Sequence, residues 1–564
     1  MTDEQYRRDY AQHLIEQVNK GHMTRRQLLV RASVFGFSAT AAGSLLAACG
    51  GTTDSASPAA TGTGAPAPVM GGRLLGVLPP SLTAIDPVQI KDQGGIVLVM
   101  QLCEYLIDLD NQNGLVPRLA ESWSANTDAS VWTFKLRQGV KFNDGSPMEA
   151  EDVVATFERL VDPKSGSSAL SVLGGTLSPG GTKAVDTSTV EFTLDKPFAD
   201  FPYLVCMSNY NAVILPRNYA GDFVKNPVGT GPFVLKEYVA KQKCTMDKNP
   251  TYWGKDAAGN QLPYLDGVDW ALVQDESAAN LQVQSGTVDF QPQTVFQGSQ
   301  AMFADANLRV DIYPGTGIRE VAFNVTKEPW KSGGAALRQA VAYCLDREAI
   351  NKALFDGRSL LGYDTFWEPS VYAGSPPSTP RAQDYDKAKQ LLSDAGHSGG
   401  LDIELTYSKY LENPQYAQLI QEQCKPAGIN VKLNFVAYDA YYAGSADDYN
   451  GTTPWLNAAM DIVEWGSRPA PGVYAQAMLV PGAAWSSSHW DNKDFATTFD
   501  QYQSTADEAT RMELATKLSQ NQQDETPIMV AYYIAQLRTQ KKTVYGIQGP
   551  GSFYCIMKEA YKAA

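Results

Sequence analysis

A strand–helix–strand pattern in the second half of the chain constrains its fold most. Leu401–Tyr407 and Ile429–Phe435 each alternate apolar and polar side chains, which is the period of a half-buried strand. Between them, the spacing of apolar side chains around Ala417–Cys424 indicates a helix. A helix between two strands is typical of an α/β sheet. We therefore expect an α/β fold.

Other segments fit the same class. Val131–Arg137 alternates and predicts a strand. Ser146 is followed by proline and, three positions later, by Glu149, which predicts a helix with Ser146 as its N-cap. Two more helices are predicted by apolar spacing, over Leu337–Leu345 and over Ala388–Asp394.

The first 48 residues indicate export. Two arginines, Arg25 and Arg26, precede an uncharged stretch that begins at Ala32, and Leu46-Ala-Ala-Cys49 is typical of a lipoprotein cleavage site. We interpret residues 1–48 as a twin-arginine lipoprotein signal peptide and Cys49 as the lipid attachment residue. A transmembrane helix is the alternative, although the uncharged stretch is at the lower length limit for spanning a bilayer. Met23 is a candidate start as well as Met1.

Residues 49–69 are predicted to be a lipid-anchored flexible tether. They consist mostly of Gly, Ala, Ser, Thr and Pro, and they lack the large apolar side chains that a packed core needs. We therefore expect the rest of the protein to be exported and held at the outer face of the cytoplasmic membrane, in the periplasm or cell envelope.

Composition excludes several classes of function. Residues 1–48 contain 6 of the 46 Lys and Arg and 4 of the 61 Asp and Glu, so the processed chain has a net charge of −17, which argues against nucleic acid as a partner. Its six remaining cysteines have no zinc-site spacing, and both free thiols and disulfides stay open. Two histidines remain, and the motifs of common hydrolases and nucleotide-binding enzymes are missing. We expect no cofactor, no metal and no enzymatic activity.

Several blocks of the sequence, in order along the chain, resemble a known family. They lie at Val116–Trp123, Trp132–Gly145, Ala150–Val154, Asn226–Phe233, Asn249–Gly254, Leu262–Gly267, Val321–Asn324, Leu337–Tyr343, Asp346–Arg347, Tyr385–Asp386, Ala388–Leu392 and Ala395–Gly396. They are similar to the family 5 extracellular solute-binding proteins of ABC importers, which include dipeptide-, oligopeptide- and nickel-binding proteins. Most of the matching residues belong to the scaffold, so they indicate the architecture much more than the ligand.

The resemblance implies a two-lobe, class II periplasmic-binding-protein-like α/β fold with a hinge. Lobe I would comprise residues 70–318, with a subdomain inserted at about 95–225. Lobe II would comprise 319–519, and residues 520–564 would return to lobe I. Ligand contacts from both lobes exist only in the closed state, so the ligand favours closure.

The function implied is capture of a small organic solute between the lobes and its delivery to an ABC permease and ATPase complex. We expect a peptide-like, opine-like or other anionic or zwitterionic ligand, and a monomeric protein. Binding of an oligosaccharide or of a metal chelate is an alternative within the family. A sensor lipoprotein without an importer is an alternative outside it.

The sequence departs from the family pattern within Met460–Pro469. In the family's peptide binders, a tryptophan here is followed three positions later by an aspartate that pairs with the α-ammonium group of the peptide. Trp465 matches the tryptophan, and Arg468 stands in the place of the aspartate. A guanidinium repels an ammonium group and binds carboxylates or phosphates. We predict that Arg468 binds an anionic group of the ligand; a salt bridge with Glu464 is the alternative.

Further ligand contacts are predicted at one more arginine and at several aromatic side chains. Arg319 precedes the expected lobe crossing and is a second candidate for binding an anion, with a salt bridge to Glu320 or Asp311 as the alternative. Aromatic rings in a closed cleft supply apolar contact and stacking. The aromatic candidates are Trp465, Tyr363, Trp367 and Trp485.

Overall fold

The structure is a computed structural model that describes residues 66–81, 85–111, 113–372, 375–443, 451–551 and 554–563. The predicted signal peptide, the predicted lipid attachment residue Cys49 and residues 49–65 of the predicted tether lie outside the described residues. Across the described ranges, no helix combines the length and hydropathy that crossing a bilayer requires.

Strands form the centre of the fold. In chain order they are β1 Arg73–Leu78, β2 Ile107–Leu109, β3 Leu115–Pro117, β4 Ala120–Ala125, β5 Val131–Leu136, β6 Thr182–Asp186, β7 Thr189–Thr193, β8 Phe233–Val239, β9 Lys243–Lys248, β10 Gly267–Leu272, β11 Phe290–Thr294, β12 Leu308–Phe323, β13 Leu360–Leu361, β14 Leu401–Ser408, β15 Ile429–Val436, β16 Met460–Trp465, β17 Ile528–Lys541, β18 Val544–Tyr545, β19 Gln548–Gly551, β20 Tyr554–Ile556 and β21 Tyr561–Lys562. The predicted strands at 131–137, 401–407 and 429–435 are confirmed as β5, β14 and β15.

Helices pack against these strands. They are α1 Gln93–Leu102, α2 Ala150–Val161, α3 Leu170–Leu173, α4 Phe201–Leu204, α5 Glu276–Gln284, α6 Gln300–Ala304, α7 Trp330–Tyr343, α8 Arg347–Phe355, α9 Tyr385–Asp394, α10 Asn413–Cys424, α11 Tyr438–Tyr441, α12 Pro454–Asn457, α13 Pro471–Met478, α14 Lys493–Gln503 and α15 Glu508–Glu525. The helices predicted from apolar spacing around residues 337–345, 388–394 and 417–424 correspond to α7, α9 and α10.

One large sheet runs through the molecule in the order β15-β14-β16-β12-β17-β11-β1-β10-β9-β8, with β13 paired to β17. Strand β14 is parallel to both β15 and β16, as the strand–helix–strand pattern favours. Strands β12 and β17 are antiparallel to each other and are the longest in the sheet. The predicted α/β class is confirmed.

Strands β12 and β17 link two separately packed halves. The first half, lobe I, has a core of side chains between Leu74 and Phe290, joined by side chains of 544–560. The second half, lobe II, has two cores built from side chains between Ile318 and Tyr533. Each of the two long strands contributes one end to each half, so the two-lobe architecture follows from their length.

The crossing strands approach closely at Gly315. A methyl group at this position would lie 1.7 Å from the carbonyl oxygen of Ile534 on β17, so a side chain cannot be accommodated without moving one strand. Residues Ile528–Tyr533 of β17 pack in the lobe II cores, whereas Leu537–Lys541 pair with the lobe I end of β12. This packing favours a return to lobe I near residue 535, later than the expected 520.

A small antiparallel sheet, β4-β5-β7-β6, lies with α2 in lobe I, within the range expected for the inserted subdomain. The predicted N-cap Ser146 is wrong, because α2 begins at Ala150 with Glu149 as its cap. The backbone N–H of Glu149 donates to the Asp152 carboxylate at 2.8 Å. Ser146 instead donates to Asp144 in the preceding turn at 2.6 Å.

The six cysteines that follow Cys49 are buried free thiols, so the first of the two alternatives left open by the sequence is the correct one. They are Cys103, Cys206, Cys244, Cys344, Cys424 and Cys555. Each packs as a small apolar side chain within a lobe core.

Candidate functional site

The carboxyl ends of three parallel strands of lobe II meet at one edge of the large sheet. Strand β14 ends at Ser408, β15 at Val436 and β16 at Trp465. In open α/β sheets, ligands bind at the carboxyl edge of the strands because the loops there are free to carry polar side chains. The segment 466–469 follows β16 at this edge, and it contains Arg468.

A cleft lies between this segment and lobe I. It has about 330 Å³ of space not filled by protein atoms, part of which is open to solvent. Its walls are formed by Leu109, Asn113, Ser208, Pro314, Gly315, Thr316, Ser467, Arg468, Pro469, Pro550 and Tyr554. Because these residues come from both lobes and from β12 between them, a solute here would contact both halves at once.

Arg468 contributes a positive charge to this cleft. Its guanidinium donates weakly to the carbonyl oxygens of Ser467, at 3.2 Å, and Gly466, at 3.4 Å, and lies 5.4 Å from the ring centroid of Trp465. Within the described residues it forms no ion pair. The alternative partner, Glu464, instead accepts hydrogen bonds from neutral side chains. Arg468 is therefore a half-buried cation available to an anion.

Trp465 is buried next to Arg468 and is not one of the cleft walls. Its indole N–H donates to the Glu320 carboxylate at 2.5 Å, and its ring contacts Tyr474 and Trp485 at centroid distances of 5.9 and 5.7 Å. Trp485 is 39% exposed. Burial raises the pKa of Glu320 from its ordinary 4.5 to about 7, although the hydrogen bonds from Trp465 and Ser487 act in the opposite direction.

Arg319 is held inside lobe II. Its guanidinium pairs with Glu412 at 3.0 Å, and it lies 5.6 Å from the ring centroid of Tyr410. The alternative partners are engaged elsewhere, since Glu320 accepts from Trp465 and Asp311 pairs with Arg309. Arg319 is 4% exposed, so it contacts a solute only if lobe II rearranges.

Tyr363 and Trp367 lie apart from the cleft walls. Trp367 is buried in a lobe II core against Phe495 and Tyr502. Tyr363 is half-buried, and its carbonyl oxygen accepts a hydrogen bond from Gln523 at 2.6 Å. Of the predicted ligand contacts, the structure thus brings together Trp465, Arg468 and Trp485.

Sequence reasoning missed the residues that lobe I contributes to the cleft. Asn113, Ser208 and Tyr554 come from segments far apart in sequence, and none of them belongs to a recognisable motif. It also missed the tyrosines that follow β14 and β15, Tyr410 and Tyr438, although their positions just beyond predicted strands were a usable signal.

Comparison with known proteins identifies the family. Residues 114–487 match the family model for bacterial extracellular solute-binding proteins, family 5. The chain belongs to this family. The predicted family and two-lobe fold are therefore confirmed, as is the expectation of a binding protein rather than an enzyme. Members of this family are extracellular, which agrees with the expected location outside the cytoplasm.

Individual relatives agree with this assignment. The dipeptide-binding protein DppE of Bacillus subtilis is 28% identical over 82% of this chain and 86% of its own length. The glutathione-binding protein GsiB of Salmonella typhimurium is 26% identical over 74% of this chain and 78% of its own length. The unliganded open form of the periplasmic murein tripeptide-binding protein MppA superposes with a TM-score of 0.76 at 23% identity, covering 88% of this chain and 99% of that one. The last similarity concerns the fold.

Proposed function

We propose that this protein captures a small anionic or zwitterionic organic solute, peptide-like in chemistry, in the cleft between its lobes. The captured solute is handed to an ABC permease and ATPase complex. The protein acts as a monomer, tethered by a lipid on Cys49 at the outer face of the cytoplasmic membrane. Binding is reversible, and no covalent bond is made or broken.

The observation that carries this proposal is the guanidinium of Arg468, which lines the cleft without an acidic partner in the described residues. A carboxylate binds a guanidinium through two parallel hydrogen bonds, and such charge-assisted bonds are about twice as strong as neutral ones. The guanidinium lies 5.4 Å from the ring centroid of Trp465, and this cation–π contact favours one orientation of the side chain.

The relatives' names support a peptide-like ligand. One relative is named for dipeptides and another for glutathione, a peptide that carries two carboxylates. An arginine in the cleft suits a ligand that carries a carboxylate. Glutathione is therefore the first peptide to test, beside neutral and cationic dipeptides.

The test is native mass spectrometry of the chain from Gly50 onward, before and after mild denaturation. A released molecule with a carboxylate or phosphate supports the proposal, and a released simple cation or neutral sugar contradicts it. If the cleft is empty, thermal shift with the peptide panel follows, because a ligand at 100 times its Kd adds about 2.7 kcal/mol of stability.

Arg468→Asp tests the role of the guanidinium. We expect it to abolish binding of the anionic ligand while the folded state keeps its stability, since Arg468 forms no ion pair in the described structure. Lys241→Asp is the matched control, because it makes the same change of charge in an exposed turn between β8 and β9. Unchanged affinity in Arg468→Asp would contradict the assignment.

The lipid anchor is tested separately. Cys49→Ser should move the protein from the membrane fraction to the soluble fraction, because the thiol that would carry the lipid is removed. Retention in the membrane fraction would instead support the alternative of a transmembrane helix.

A further inference from the structure

Four aromatic side chains form a continuous row at the carboxyl edge of the lobe II sheet. This aromatic row consists of Tyr410, Tyr438, Tyr442 and Trp455, with successive ring centroids 5.3, 5.1 and 5.8 Å apart. Tyr410 and Tyr438 are 39% and 44% exposed, and the other two rings are half-buried. A contiguous apolar patch on a surface is typical of a binding site, whereas single exposed apolar side chains are not.

The carboxylate of Glu464 lies behind this row. It accepts hydrogen bonds from Ser408 and Asn413 on one oxygen, and from Tyr442 of the aromatic row on the other. All three donors are neutral, and Glu464 forms no ion pair in the described part of the chain. A carboxylate has about four acceptor positions, so the oxygen that takes only the Tyr442 hydroxyl can accept another donor.

The charges around the row are negative on balance. Arg319, adjacent to Glu464 across the β12–β16 pairing, forms an ion pair with Glu412, and its guanidinium lies 5.6 Å from the ring centroid of Tyr410. Tyr410 therefore already contacts a cation, and the rings that remain for a ligand cation are those of Tyr438, Tyr442 and Trp455. Asp439 adds a further exposed carboxylate next to Tyr438, and the exposed Lys409 next to Tyr410 offsets one of these charges. Aromatic faces beside an unpaired carboxylate attract an organic cation through the ring quadrupole and through direct charge attraction.

The geometry also relates this row to Arg468. In the sheet order β15-β14-β16, Tyr438 follows β15 and Arg468 follows β16, two strands away. Neighbouring strands are about 4.8 Å apart, so the lateral separation of the two is on the order of 10 Å. An extended peptide covers this distance with about three residues, at roughly 3.3–3.6 Å each.

We propose that the aromatic row and Glu464 form a subsite for an organic ammonium group, the cationic end of a zwitterion whose anionic end binds at Arg468. This inference rests on the proposed function. It names the substrate class as a zwitterion whose ammonium and anionic groups are far enough apart to reach these two positions at the same time. It also accounts for the absence of an acidic residue at position 468, because the ammonium group of the ligand would bind to the carboxylate of Glu464 at the same edge of the sheet.

The test uses choline and its neutral isostere 3,3-dimethylbutan-1-ol, titrated against the exported protein by ligand-observed NMR. The two probes share their shape and differ in charge. We expect choline to bind at least fivefold more tightly than the isostere. Equal affinity, or no binding of choline, would overturn the proposal and would leave an apolar contact surface as the only role of the row.

Single substitutions separate the contribution of the Glu464 carboxylate from that of the aromatic row. Glu464→Gln should bring the ratio of the two affinities close to one, and Tyr438→Leu, on an exposed side chain, should weaken choline binding at least threefold. Glu404→Gln is the control, because this exposed carboxylate on β14 pairs with Lys432 away from the row. An unchanged ratio in both test variants would contradict the subsite.

Arg468→Gln distinguishes this inference from the proposed function, because it removes the positive charge without adding a carboxylate that could bind an ammonium group itself. We expect it to leave choline binding unchanged while it abolishes binding of the anionic ligand. Loss of choline binding in Arg468→Gln would show that the two groups do not act at separate positions. A different outcome is that the wild-type protein binds choline, yet releases no solute in native mass spectrometry and binds no peptide in the thermal-shift panel. That combination would support the subsite and would refute the proposed capture of a peptide-like solute.

Discussion

Replacing Glu320 by glutamine should stabilise the protein at neutral and alkaline pH, and not at acidic pH. Glu320 is fully buried on β12, with Trp465 and Ser487 donating to its carboxylate at 2.5 and 3.4 Å. Burial is the main reason that its pKa rises to about 7. Glutamine keeps the side-chain carbonyl that accepts from Trp465 and removes the charge that the interior disfavours.

The magnitude follows from the pKa. In the unfolded chain the carboxylate ionises near 4.5, whereas in the folded protein it ionises near 7. Between these pH values the folded state binds more protons than the unfolded state, so stability falls as pH rises and levels off above pH 7. At about 1.4 kcal/mol for each pH unit, the full loss is about 3 kcal/mol.

A buried neighbour acts in the same direction. The pKa of Asp461 is raised by burial and then by the charge of Glu320, and the hydroxyl of Tyr441 donates to it at 3.1 Å. Lys327 lies on the same side and acts in the opposite direction on Asp461. Since Asp461 and Lys327 are present in both proteins, the difference between wild type and Glu320→Gln isolates most of the contribution of Glu320.

The assay is urea unfolding followed by tryptophan fluorescence at pH values from 5 to 8. We expect Glu320→Gln to be more stable than wild type by less than about 1 kcal/mol at pH 5 and by about 3 kcal/mol at pH 8. Glu404→Gln, on an exposed carboxylate, should show little change with pH. A Glu320→Gln difference that stays constant across this pH range would refute the raised pKa.

Three further predictions concern packing. Glu412→Gln should destabilise lobe II by about 3 kcal/mol in the same unfolding assay, because Arg319 keeps its charge in a buried site and loses the one ion pair that it forms in the described residues. Gly315→Ala should lower the thermal unfolding temperature markedly, since its methyl group would meet the carbonyl oxygen of Ile534, whereas Gly399→Ala, with no atom nearby, should not. At pH 8 the six buried cysteines should not react with a thiol reagent until urea is added, because a reagent cannot reach a buried sulfur atom, and burial also raises the pKa of the Cys244 thiol to about 12; rapid reaction of the folded protein would contradict their burial.

Local periodicity predicted the elements that depend on local sequence. Strands β5, β14 and β15 and helices α7, α9 and α10 follow from apolar spacing alone, because each buries one face against a single core. The start of α2 did not follow from its cap motif. There, Asp152 competes successfully for the backbone N–H of Glu149, and Arg217 from a distant segment pairs with both acids.

The partners of the site residues could not be predicted from their neighbours in sequence. Arg319 was expected to pair with Glu320 or Asp311, and it pairs with Glu412 at the start of α10 instead. The order of the strands brings the two together, because β12 pairs with β16, β16 pairs with β14, and Glu412 follows β14 in the chain. Contacts between residues this far apart in the chain depend on the order of the strands in the sheet. The apolar periodicity of the sequence does not predict that order.

Arg468 was predicted as a site residue because it departs from a family motif. A solute that approaches Arg468 in the cleft also experiences the net charge of the whole protein. Residues 49–564 have a net charge of −17, so a solute with several negative charges is repelled as it approaches. A zwitterion has no net charge and avoids this cost. At the site it still gains the attraction of Arg468 at one end and of the aromatic row with Glu464 at the other. The net charge of the protein and the local charges at the site therefore both favour a zwitterion over a purely anionic ligand.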